Sequence, residues 1–192
     1  DFTDAWKYTI DDAATLGQTY VISPSIDSKV RKSFDAFMFQ VELFNKCGEL
    51  CKKQGMKFGY HNHDFEFKEK VNGELIYDLI LKHTDPALVV QQLDFGNMYG
   101  AGARGDDWIN KYPGRFPSLH VKDEIKVGKG EMGDGYESTI LGDGVVNPKA
   151  IALLAKKIGG AHHYIVEQES YQDKTPLESA RIDLERIKTW GI

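Results

Sequence analysis

LVVQQLDFGNMYGAGARG, residues 88–105, passes from an apolar run to one carboxylate, Asp94, and then into glycines. An apolar run this short, bounded by turn residues, reads as a parallel strand buried on both faces. The glycines after Asp94 let the backbone bend sharply and leave room for a ligand. Taken alone, Asp94 reads equally as a metal ligand or as the cap of a turn. Three further runs share the design: FGYHNH (58–63), SLHVKDE (118–124) and HYIVEQE (163–169). In a parallel β/α barrel every strand delivers its last residues to one rim. His61 or His63, Asp94, His120 and Glu167 brought there form a divalent-metal site, and such a site points to an enzyme.

Between these runs the pattern alternates helix and strand, which indicates parallel βαβ units. A helix through Leu16 stops at Gly17, and TYVISP (19–24) reads as a further strand. Helices are expected over 28–53, 75–83, 106–112, from Pro148 to Gly159-Gly160, and from Pro176 through Trp190. A short sixth strand is expected at Thr139 to Leu141, and Gly142-Asp143-Gly144 is expected to turn at the rim. A closed eight-stranded barrel takes about 250 residues. The 192 residues therefore read as one partial barrel domain, 1–192, lacking roughly two strand–helix units. Because the chain opens on a helix, the missing units are expected to be N-terminal. An open doubly wound sheet is the alternative.

Composition narrows the function. With 41% apolar residues the chain can bury a sizeable core, and its net charge of -5 offers no footprint for nucleic acid. No apolar stretch approaches the roughly 20 residues that span a bilayer. Cys47 and Cys51 lie on one helical face and read as core packing. No nucleic-acid or membrane partner is expected, and a homo-oligomer is left open. The compartment is left open too: cytoplasm, or periplasm if an export signal precedes Asp1.

The chemistry gathers at the strand ends. His61 and His63 alternate, so both are expected on one face, followed by Asp64 and Glu66. Imidazoles and carboxylates clustered in this way are the strongest single metal signal in the chain. His120 is expected to share a face with Lys122, and Glu167 with Glu169. Two carboxylates held close push their pKa values apart, which suits proton transfer. There is no phosphate-loop G-K-[ST] signature, no G-x-S-x-G, and no Ser or Cys set beside a His as nucleophile.

In order and with ordinary spacing, YHNHDFEF, LDFGN, HVKD, GDG and IVEQE resemble the xylose isomerase-like TIM barrels, the sugar phosphate isomerases/epimerases. They stand closest to the branch that includes inosose dehydratases. The resemblance covers the third to eighth barrel strands. It implies one divalent cation (Mn, Mg, Co or Zn) held by Asp94, His120, Glu167 and a fourth-strand residue. Where many relatives carry Glu before Asn-His, this chain has His61. The resemblance also implies that fourth- and eighth-strand glutamates move the proton. With His61 in the fourth-strand place, Glu167, Glu169, Lys122 and His63 are the residues expected to handle it, and Glu66, Asn97 and Asp123 are expected to face the substrate. The activity expected is isomerisation or epimerisation of a sugar or keto-sugar beside a metal-polarised carbonyl. Dehydration of a cyclic keto-polyol such as an inosose is the alternative, and a non-catalytic sugar- or metal-binding barrel is a third reading. An apurinic-endonuclease-like activity is disfavoured by the acidic charge.

Overall fold

Strand follows helix along most of the computed structural model, which describes residues 2–130 and 133–192. The order is α1 (Phe2–Thr15), β1 (Tyr20–Ser23), α2 (Phe34–Lys53), β2 (Lys57–His61), α3 (Phe65–Lys68), β3 (Lys70–Val71), β4 (Glu74–Leu75) and α4 (Ile76–His83). Next come β5 (Val89–Asp94), α5 (Phe95–Gly100), α6 (Gly105–Lys111), β6 (Ser118–Val121), β7 (Asp123–Lys126) and β8 (Tyr136–Thr139). The chain closes with α7 (Pro148–Leu154), β9 (His163–Val166) and α8 (Pro176–Lys188). Among the described residues no helix is long and apolar enough to cross a membrane.

Five strands form one sheet in the order β1-β2-β5-β6-β9. The pairs β1–β2, β5–β6 and β6–β9 are parallel, and helices make the crossovers. This is the α/β arrangement expected of a partial barrel. All six residues of β5 are buried, as a central parallel strand requires. The register sets Asp94 opposite His120, and His120 opposite Ile165, so these strand ends reach one rim.

Three expectations need correction. The stretch after Asp94 is not a glycine loop from its start. Asp94 accepts the Asn97 N–H at 2.7 Å and caps α5, so the open turn begins only at Ala101. The long helix expected from Ser28 is broken at Ser33, whose extended backbone (φ -128°, ψ 130°) and hydroxyl cap the N-terminus of α2. The sixth strand, expected at Thr139 to Leu141, does not join the five-stranded sheet. Residues 136–139 instead pair antiparallel with Asp123–Lys126, in a hairpin that leaves the end of β6. A hairpin needs only local antiparallel pairing, and the described residues between these strands form no crossover helix.

The chain packs as two compact units, Asp1–Asn62 with Lys68–Gln91, and His63–Phe67 with Gln92–Ile192. In the first, Phe37, Val41, Phe44, Cys47 and Cys51 form the buried face of α2. The Phe44 ring lies 5.3 Å from Phe58 and 5.4 Å from Tyr60, both on β2. Fully burying each such side chain contributes about 1.5–3 kcal/mol. Both cysteine thiols are unoxidised and buried, as expected. In the second unit Leu93, Phe95, Met98, Ile109, Phe116, Leu119 and Val121 supply the core.

Candidate active site

Asp94 is fully buried at the end of β5. Its Oδ1 is engaged by the Asn97 amide, and its Oδ2 lies 3.8 Å from His120 Nδ1. Burial pushes this carboxyl up to about 7, against the pull of the Lys122 cation and the Asn97 hydrogen bond. His120 Nδ1 is also in close contact with Glu167 Oε2. Glu167 enters the site because its N–H makes the last bond of the β6–β9 ladder, to Val121 O at 3.2 Å. His61, 8% exposed, ends β2.

Lys122 is the largest fully buried charged side chain among the described residues, 1% exposed. Its Nζ donates to Glu169 Oε2 at 2.5 Å and lies 3.8 Å from Glu167 Oε1. Burial alone lowers an ammonium pKa, but Asp94, Glu169 and Glu167 outweigh it and hold Lys122 above the usual lysine range. Glu169 is the open member of the group, with its side chain 56% exposed.

His63 falls just beyond the end of β2, so the alternation expected from His61 does not extend to it. Its ring stacks on Phe65 at 6.1 Å. Burial lowers its pKa, and the nearby Lys122 adds to this, while Asp64, Glu167 and Glu169 act the other way. Its backbone N–H donates to Glu66 Oε2 at 2.9 Å, and Glu66 is wholly buried. Asp123 also has no exposed surface. Its oxygens accept the N–H groups of Gly142 (2.7 Å), Gly144 (3.1 Å) and Val146 (3.0 Å). The carboxylate thus holds the turn of residues 142–146 in place. The His162 and His163 rings are tilted at 51° with centroids 4.7 Å apart, at the start of β9 and away from the rim.

Two residues without an expected role belong to this constellation. Gly96 has no room for a side chain, since a Cβ there meets Glu124 Oε1 at 2.5 Å and Lys122 Cδ at 2.7 Å. Glu124 is itself buried, 3% exposed, beside Lys122. Its place at the end of SLHVKDE was the only signal in the sequence.

The His120 imidazole with the Asp94 and Glu167 carboxylates is a donor set that suits a divalent transition metal such as zinc, manganese or cobalt. Buried charges are paired or bind metals, and a fully buried Asp94 fits that rule.

The family model described as xylose isomerase-like TIM barrel matches residues 1–190. An inosose dehydratase of Bacillus licheniformis is 28% identical over 188 residues, covering 90% of this chain and 61% of the relative. A sugar phosphate isomerase/epimerase structure from Parabacteroides distasonis superposes with a TM-score of 0.80 at 30% identity, over 97% of this chain and 63% of that one. The IolI protein, solved with a zinc atom, shares the fold at a TM-score of 0.71 and 14% identity, over 98% of this chain and 68% of its own. The chain thus spans about three fifths of the length of the inosose dehydratase. It belongs to the family of xylose isomerase-like TIM barrels.

Proposed function

We propose that the protein is a divalent-metal-dependent isomerase or epimerase of a sugar or keto-sugar, working by proton transfer at the carbon beside a carbonyl. One observation carries the reading. A buried ammonium, Lys122, bridges toward two carboxylates, Glu167 and Glu169, directly beside the Asp94–His120 pair. His61, Asp94, His120 and Glu167 are the residues that would hold the ion. Such an ion supplies Lewis-acid polarisation of a carbonyl oxygen.

The chain's own residues then divide the remaining work. Glu169, the exposed carboxylate, is the general base that takes the proton and returns it. Lys122 donates a hydrogen bond to a substrate oxygen that gains negative charge. His63, kept neutral by burial, accepts or donates at the neighbouring hydroxyl. Glu66 fixes the backbone of His63, and Asn97 and Asp123 belong to the scaffold in this reading. Because His61 stands where relatives carry a carboxylate, the base chemistry falls to one carboxylate side, which favours isomerisation with return of the proton to the same face.

Dehydration is the second reading. It is favoured by the name of the Bacillus licheniformis relative and by Lys122, an ammonium able to protonate a departing hydroxyl. Both readings begin with removal of the same proton, so one experiment separates them. The protein with added Mn²⁺ is incubated with keto-sugars and inososes in deuterated water and followed by NMR. Deuterium uptake with an isomeric product supports the first reading, and an unsaturated or diketo product supports the second. Glu169→Gln is expected to slow exchange roughly 100-fold or more. No exchange with any substrate would leave only the binding reading.

A further inference from the structure

We propose that Ser138 is a positioning residue for the site, setting the turn that carries Glu169 and anchors Glu167. The inference rests on the metal and carboxylate reading above. Ser138 lies on β8 and is completely buried. Its Oγ accepts two consecutive backbone N–H groups, Glu169 at 2.7 Å and Ser170 at 2.8 Å. Two bonds to one oxygen fix the peptide plane between those residues. That plane sets the direction of the Glu169 side chain, and with it the 2.5 Å bond to Lys122 Nζ.

The need for such a device follows from where the ladder stops. β9 ends at Val166, and the Glu167 N–H is the last to pair with β6. Beyond it, the chain leaves the sheet and is fastened to the hairpin. Gln172, at φ 50°, donates through Nε2 to Ser138 O and Glu137 Oε1, both at 3.0 Å. Thr139 Oγ1 donates to Gln172 Oε1 at 3.2 Å. The hairpin is seated in turn on α5, where the Tyr99 and Tyr136 rings meet edge to face at 5.4 Å. The Glu169 carboxylate at the rim therefore depends on a hydroxyl more than thirty residues earlier in the chain, and Glu167 leads directly into the turn so held.

The test uses the protein with Mn²⁺ as probe, comparing wild type, Ser138→Ala, Ser138→Thr and Gln172→Ala. Amide hydrogen exchange at Glu169 and Ser170 is measured without metal, and Mn²⁺ affinity is measured by titration. Ser138→Ala is expected to speed exchange at both amides about tenfold. It is also expected to weaken Mn²⁺ binding roughly 10- to 100-fold, as loss of an outer-sphere support does. Ser138→Thr keeps the oxygen and is expected to restore both readouts toward wild type. Gln172→Ala loosens the strap but leaves Ser138 Oγ in place, so its affinity is expected to stay near wild type. Wild-type exchange and affinity in Ser138→Ala overturn the proposal. So does a Gln172→Ala loss as large as that of Ser138→Ala, because the effect then belongs to the hairpin as a whole. A wild-type protein that takes up no Mn²⁺ overturns the metal reading instead, and the metal-free exchange data keep the two failures apart.

Discussion

Asp94 and Asp123 are both wholly buried carboxylates near the rim, yet their surroundings assign them opposite work. Asp94 spends one oxygen on the Asn97 amide and turns the other toward His120. Asp123 faces backbone amides from residues 142–146, so its charge is spread over fixed N–H dipoles. Removing it strands three such donors, and leaving a buried donor unsatisfied costs about 1–3 kcal/mol each. Asp123→Ala is therefore expected to lower unfolding stability by about 3 kcal/mol or more in urea denaturation. If it shifts substrate affinity while the urea midpoint stays put, the clamp assignment is wrong. Gly96 shows the same economy of space, because Lys122 and Glu124 occupy the volume that a side chain there would take.

At the scale of elements, α2 and the β7–β8 hairpin were read with unequal success. The buried face of α2 was legible from helical spacing, and Cys47 and Cys51 sit in it as packing residues. Burial pushes Cys51 up to about 11, and burial together with Cys51 pushes Cys47 up to about 12. The folded chain thus holds these protons more tightly than the unfolded one, from which they leave near 9.0. Their contribution is intact at neutral pH and is lost as pH rises from about 9 toward 11. Native thiols are accordingly expected to resist alkylation at pH 8, with rapid labelling in denaturant, and the urea midpoint is expected to fall across that alkaline window. Fast labelling of the native protein would count against the packing. The hairpin gave no comparable signal. Its strands are short and polar, and its stability comes from partners such as Gln172 that lie far along the chain.

For the molecule as a whole, an ion that binds only the folded site must stabilise it. At a free Mn²⁺ concentration of about 100 times Kd, linkage adds about 2.7 kcal/mol. For a chain of this length that is a rise in melting temperature of roughly 5–10 °C, measurable by calorimetry. Asp94→Ala is expected to abolish the rise, and a wild-type protein with no shift would remove the metal from the proposed mechanism. Much of this site was legible beforehand. Asp94, His120 and Glu167 stand at the ends of apolar runs, and parallel pairing must carry such ends to one edge. The backbone amides around Asp123 left no mark in the sequence, because polarity at a strand end looks the same whether a side chain meets a ligand or a backbone amide. The sequence by itself determined which segments are buried strands and which polar residues close them, since burial is written locally as periodicity. Only the tertiary structure decided that Asp123 clamps a turn and that Ser138 holds the Glu169 loop. Those roles depend on hydrogen-bond partners far along the chain, and no local pattern encodes a partner that the fold alone brings within reach.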